Sequence, residues 1–161
     1  MNPAYFITGT DTDVGKTTVA AGFLYAARAA GLSTAAGKPV ASGCEVTPQG
    51  LRNADALALM AESSIKLSYD EVNPVAFEPA IAPHIAAREA GVVLTVRSLL
   101  GPMQHILSKQ ADFTPIEGAG GWRFLKPTVW IYTPPPTIRL PGHGHRDWRD
   151  STKVRNCWRQ W

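Results

Sequence analysis

The 161-residue sequence predicts an α/β fold, a parallel sheet flanked by helices that is truncated and followed by an irregular tail. Three observations predict it. Short apolar, strand-like segments alternate with amphipathic, helix-like ones as far as Trp122. The first of these strands runs through a glycine-containing loop into a helix that opens Gly15-Lys16-Thr17. Beyond Trp122 neither the helical nor the strand period persists. The expected division is therefore an incomplete α/β domain over residues 1–122 and a basic, Trp- and Pro-rich tail over 123–161, expected to be disordered.

Tyr5-Phe6-Ile7 is the first strand, and Gly9-Thr10-Asp11-Thr12-Asp13-Val14-Gly15-Lys16-Thr17 is the loop that leaves it. A strand, a tight loop and a helix beginning Gly-Lys-Thr make a phosphate-binding loop. Its N–H groups and the positive end of the helix dipole cradle an anion, Lys16 reaches the β- and γ-phosphates, and the Thr17 hydroxyl is placed to ligate Mg²⁺. The chain is thus expected to handle ATP or GTP on a P-loop NTPase-like sheet. The usual signature has its first glycine where this sequence has Thr10; here the glycine stands one residue earlier, at Gly9. Asp11 and Asp13 are unusual in such a loop, because carboxylates repel phosphate unless a metal or a substrate amine compensates.

Residues 17–30 read as a helix with Val19, Ala20, Phe23, Leu24 and Ala27 on one face and Gly31 as its C-terminal cap. Residues 33–40 read as a second strand, and the Gly, Pro and Thr content up to Gly50 reads as a loop. A short Ala/Leu-rich helix follows over 53–62 with Asp55 in its first turn. Residues 72–77 are expected to form a short strand, and Pro83 suits the first turn of a helix to about residue 90, with His84 as a structural residue at its start. Residues 96–109 have helical spacing in Val96, Leu99, Leu100, Met103, Ile106 and Leu107, with Gly101-Pro102 expected to kink or split the helix. Residues 112–116 read as a buried strand leading into the Gly-rich turn Glu117-Gly118-Ala119-Gly120-Gly121. In such a sheet the chemistry sits at the carboxyl ends of the strands.

The average composition hides two halves. Residues 1–122 carry 8 Lys/Arg against 11 Asp/Glu, a net charge of −3, while 123–161 carry 8 against 2, a net charge of +6. Cys44 and Cys157 are the two cysteines, without metal-ligand spacing, so neither a disulfide framework nor a zinc site is indicated and a reducing cytoplasm fits. The start Met1-Asn2-Pro3-Ala4 lacks a basic segment followed by an apolar one, and no apolar stretch approaches the length of a membrane span. A soluble, cytoplasmic protein is expected.

Five pieces in order carry a resemblance: the loop from Gly9 to Thr17, Lys38-Pro39-Val40-Ala41-Ser42-Gly43, Leu51-Arg52-Asn53-Ala54-Asp55-Ala56-Leu57, Ala82-Pro83-His84 and Glu117-Gly118-Ala119-Gly120-Gly121-Trp122. Together they resemble the dethiobiotin synthetase family over residues 1 to about 123, and that family's phosphate loop shares the displaced glycine. The resemblance implies a Mg-ATP-dependent ligase that joins CO₂ and 7,8-diaminononanoate into a cyclic urea, dethiobiotin, with release of ADP and phosphate. It implies a carbamate on one amine, attack of that carbamate on the γ-phosphate, and ring closure by the second amine. It also implies a homodimer.

By the same resemblance Lys38 and Lys16 are the catalytic lysines around the γ-phosphate and the carbamate. Thr17, Asp55 and Glu117 form the Mg²⁺ shell, oxygen ligands of the hard type this ion prefers. Thr12, Asp13, Val14, Gly15, Lys16, Thr17 and Thr18 hold the nucleotide together with Asp55, Glu117, Gly118, Ala119 and Gly120, and the glycines let backbone approach phosphate closely. Ser42 and Thr12 contact the substrate. No membrane and no nucleic acid is expected as a partner.

Two features depart from the family. The segment expected to recognise the adenine base is not visible after Trp122, where the Arg, Pro and Trp enrichment is that of a reading-frame shift in a GC-rich gene. Pro115 falls inside a central strand, where it removes a ladder donor and is expected to cost roughly 3 kcal/mol. Impaired turnover follows as an expectation. The alternatives are a non-catalytic remnant, and another deviant-P-loop ATPase whose basic tail binds nucleic acid.

Overall fold

The computed structural model describes residues 2–121. The expected tail over 123–161, its frame-shift reading and Trp122 lie outside the described residues. The chain runs β1 (Ala4–Gly9), α1 (Lys16–Ala29), β2 (Val40–Ala41), β3 (Glu45–Thr47), β4 (Gly50–Arg52), α2 (Ala54–Glu62), α3 (Tyr69–Val72), β5 (Val75–Ala76), α4 (Pro83–Glu89), α5 (Val96–Ser108) and β6 (Thr114–Gly121).

The parallel α/β organisation is as expected. β6 pairs in parallel with β1, from Ala4 opposite Thr114 to Gly9 opposite Gly121. Its other side receives the extended stretch before β2 through parallel bridges at Thr34 with Phe113 and Gly37 with Ile116, and β2 in turn pairs in parallel with β5. The expected strand over 33–40 is therefore two isolated bridges followed by a two-residue strand.

Alternation along this stretch sorts the core into two faces. Ala36 packs with Ala20 and Leu24 of α1 and Leu59 of α2, together with Ile7 and Phe113. Its neighbour Ala35 turns the opposite way, onto Met103 and Ile106 of α5 and Ile116. Residues in phase with Ala36 and Phe113 thus face α1 and α2. Lys38 and Glu117 are in that phase.

Several local expectations need correction. The loop expected up to Gly50 contains β3, which pairs antiparallel with β4 beginning at Gly50. The short strand expected over 72–77 is present as β5, confined to Val75–Ala76 because the single turn α3, started by the Ser68–Glu71 capping box, runs up to Val72. Pro102 does not split α5, which is one helix buried through Leu99, Met103 and Ile106. A proline there forfeits one backbone bond, and the apolar stripe offsets it. The turn expected after Glu117 is instead a continuation of β6 to Gly121, irregular opposite Ile7 to Gly9 and with Gly120 at φ 68°.

Pro115 removes one ladder donor, as expected, and the rungs on either side of it form. Phe113 N–H donates to the Ser33 carbonyl, Ala35 N–H to Phe113, Gly37 N–H to Pro115 and Glu117 N–H to Gly37, at 2.8–3.2 Å. The rung a proline cannot supply is the one to the Ala35 carbonyl. The ladder closes on both sides of it.

Candidate active site

β1 delivers the chain into the phosphate loop, and two backbone conformations make the loop turn: Asp13 at φ 56° and Gly15 at φ 87°. Aspartate tolerates the left-handed region and glycine is at no disadvantage there. The displaced Gly9 has a steric reason. A Cβ at residue 9 would stand 2.5 Å from Val14 Cγ2 and 3.2 Å from Lys16 Cγ, so the loop's own side chains close over this position and a larger residue would have to displace them. Lys16 reaches back across the loop and donates to the Asp11 carbonyl at 2.6 Å, while Thr12 N–H donates to Asp11 Oδ1 at 2.7 Å. Thr12, Asp13, Val14 and Thr18 are exposed, and Gly15, Lys16 and Thr17 half-buried.

Three elements converge beside this loop on the α1/α2 face. Thr17 comes from the first turn of α1, Asp55 from the first turn of α2 and Glu117 from β6. Lys38, just ahead of β2, stands among them. Its ammonium donates to Asp55 Oδ2 at 2.5 Å and to Glu117 Oε1 at 2.7 Å, and Thr17 Oγ1 donates to the same Glu117 oxygen at 2.9 Å. The Lys38 and Glu117 side chains are 5% and 1% exposed, whereas that of Asp55 is 43% exposed, so the cluster is dry at its base and open at one edge. A lone Lys is normally a surface residue; this one is buried because two carboxylates neutralise it.

Glu117 Oε2 is buried and has no hydrogen-bond partner among the described residues. An orphaned carboxylate oxygen beside a threonine hydroxyl and a second carboxylate fits a hard cation of the Mg²⁺ type, which takes one or two carboxylates and leaves its other positions to water and phosphate. Thr17, Asp55 and Glu117 are the residues that would hold it. Ser42 lies half-buried just past β2, and Gly118, Ala119 and Gly120 are half-buried along β6. His84 is in the first turn of α4, with Nδ1 buried and without a partner among the described residues.

Two polar residues behind the cluster, Tyr69 and Asn73, carry no signal of their own in the sequence. Asn53 caps α2, accepting the Ala56 N–H at 3.2 Å, and Tyr69 and Asn73 bond to it and to the backbone of Lys38. The Ser68-Tyr69-Asp70-Glu71 spacing is a legible capping box, but nothing in it announces where the Tyr69 hydroxyl points. Burial raises the Tyr69 phenol above its ordinary value, and it likewise raises the thiol of Cys44.

A family model described as an AAA domain matches residues 3–128. The ATP-dependent dethiobiotin synthetase BioD of Pseudomonas paraeruginosa is 68% identical over 121 residues, 75% of this chain and 53% of the relative. The synthetases of the same name from Cellvibrio japonicus and Aeromonas hydrophila are 56% identical over 139 residues (86% of this chain, 60% of the relative) and 50% identical over 122 (76% and 54%). The chain spans about half the length of the most similar of these relatives. No helix among the described residues is long and apolar enough to cross a membrane.

Proposed function

The chain belongs to the AAA domain family, and from this premise we propose that residues 1–122 are the nucleotide-binding domain of a dethiobiotin synthetase. In this reading the protein uses Mg-ATP to join CO₂ and 7,8-diaminononanoate into dethiobiotin, releasing ADP and phosphate. It works in the cytoplasm as a homodimer.

The observation that carries the reading is the convergence of Thr17, Lys38, Asp55 and Glu117 on one point beside the phosphate loop, with Glu117 Oε2 unpartnered among the described residues. A carbamate attacking a γ-phosphate brings two anions together, and positive charge must be in place beforehand. Lys16, from the loop, binds the β/γ-phosphates, and Lys38 faces the transferring group from the opposite side. Bound Mg²⁺ neutralises charge on the phosphate oxygens. Thr17, Asp55 and Glu117 would hold that ion, and Thr12 to Thr18 with Gly118 to Gly120 would wrap the nucleotide. Ser42 and Thr12 orient the diamine, whose ammonium groups offset the carboxylates of Asp11 and Asp13.

Calorimetric titration with Mg-ATP, followed by an assay for dethiobiotin from diaminononanoate, bicarbonate and Mg-ATP, tests the reading. Binding with product formation supports a working synthetase. Binding without it supports a non-catalytic remnant, and no binding overturns the nucleotide site.

A further inference from the structure

Lys38 is held at its backbone as firmly as at its ammonium. Its N–H donates to the Val72 carbonyl at 2.8 Å, and its carbonyl accepts from Asn73 Nδ2 at 2.7 Å. Asn73 Oδ1 accepts from the Tyr69 hydroxyl at 2.9 Å, and that hydroxyl accepts the Asn53 N–H at 2.7 Å. Asn53 is the cap of α2, two residues before Asp55. Asn53, Tyr69 and Asn73 are buried, and the Arg52 guanidinium lies 4.2 Å above the Tyr69 ring. An unbroken run of hydrogen bonds therefore joins the main chain of Lys38 to the first turn of the helix that bears Asp55.

We propose that Tyr69 and Asn73 are positioning residues for the Lys38–Asp55 ion pair, a buried bracket that sets the distance between the two elements from which those side chains project. A tyrosine hydroxyl has one proton to donate, and this one gives it to Asn73 while accepting from Asn53, so the bracket has a single arrangement. Reacting groups lose efficiency steeply when displaced by about 1 Å, which makes a rigid support of this kind consequential for the site. The functional consequence rests on the reading of Lys38 and Asp55 as parts of the nucleotide site; the geometric claim holds in the free protein.

Tyr69→Phe tests it, since the ring stays under Arg52 and only the hydroxyl is lost. In full chain labelled with ¹⁵N-lysine, the buried Lys38 ammonium is expected to give a slowly exchanging resonance, assigned by its loss in Lys38→Met. In Tyr69→Phe that resonance is expected to move in the same direction as in Asp55→Asn and to exchange roughly tenfold faster. An unchanged resonance overturns the proposal. Asn73→Ser, which removes the three side-chain bonds of Asn73 to Lys38, Val75 and Tyr69, is read by the same signal, and failure of both variants to fold assigns the bracket to fold stability and overturns the positioning role. In binding, Tyr69→Phe is expected to weaken Mg-ATP about tenfold but leave Mg-free ATP unchanged, and to add nothing in an Asp55→Asn background. An equal loss in both backgrounds overturns the proposal. Wild-type protein that binds no Mg-ATP removes the nucleotide reading, and the lysine resonance still decides the bracket.

Discussion

Lys38 Nζ stands 2.7 Å from Glu117 Oε1, with both side chains almost fully withdrawn from water. The partners are not equivalent, because Lys38 has a second carboxylate in Asp55 while Glu117 has no second cation among the described residues. Lys38→Met strands a buried carboxylate with only the Thr17 hydroxyl for support, and is expected to cost about 3 kcal/mol. Glu117→Gln leaves Lys38 paired with Asp55 and is expected to cost about 1 kcal/mol. Urea denaturation of the two variants checks the order, and equal losses would count against it.

Among the described residues Lys16 bonds to the Asp11 carbonyl and to no carboxylate, which leaves its ammonium available to phosphate. Lys16→Ala is expected to weaken Mg-ATP binding by at least about tenfold with unchanged thermal stability, since a charge-assisted contact is removed from the ligand and little from the fold. Equal affinities in calorimetry would remove Lys16 from the site.

The ladder along β6 makes Pro115 an improvable position. A residue with an N–H there can bond the Ala35 carbonyl and complete a run already formed at Ser33, Phe113, Gly37 and Glu117. Pro115→Val keeps a compact apolar side chain at a fully buried site and is expected to stabilise the protein by about 1 kcal/mol. A lower thermal midpoint for the variant would show that the proline ring contributes more to packing than the missing bond costs.

Much of the architecture was legible in the sequence because its signals are local. The Gly-Lys-Thr helix start, the stripe on α1 and the Asp55-bearing helix depend on residues within a few turns of one another. Elements whose conformation is set from outside were not legible. Residues 34–37 bond along β6 and residues 40–41 along β5, and no local period records that change of partner. The Gly118 to Gly121 run read as a turn by composition, yet β1 holds it extended. In the site, residue types and motif order pointed to Lys38, Asp55 and Glu117, but that Lys38 is buried between the two carboxylates follows only from three distant segments meeting on one face of the sheet.

Gly37, immediately before Lys38, is confined by the α5 face. A Cβ there would stand 2.7 Å from Met103 Sδ, 2.9 Å from Ile106 Cδ1 and 3.0 Å from Ile116 Cδ1. Three core side chains cannot all yield without disturbing their own packing, so Gly37→Ala is expected to cost about 1–3 kcal/mol. Gly22, exposed on α1 with nothing within 4 Å of such a Cβ, is the control, and Gly22→Ala is expected to stabilise slightly. Denaturation midpoints shifted the same way in both variants would contradict the crowding argument.

Glu71 links α3 to α5 and gives the fold a pH dependence of definite sign. Its carboxylate accepts the Ser68 N–H at 2.6 Å and the Ser68 hydroxyl at 2.8 Å, and meets His105 Nε2 at 2.8 Å. These contacts, the Ser68 backbone bond first, lower its pKa from 4.5 to about 2. A depressed carboxylate stabilises the folded state fully above its unfolded pKa, and that stabilisation is lost as the pH falls through the folded value. The difference in thermal midpoint between wild type and Glu71→Gln is therefore expected to be constant above pH 4.5 and to close between there and about pH 2. Because Ser68 is the larger cause and His105 the smaller, His105→Ala is expected to leave most of the depression in place. An NMR titration of the Glu71 carboxyl that returned to the ordinary glutamate range in His105→Ala would reverse that ranking and make the imidazole, rather than the helix cap, the source of the effect.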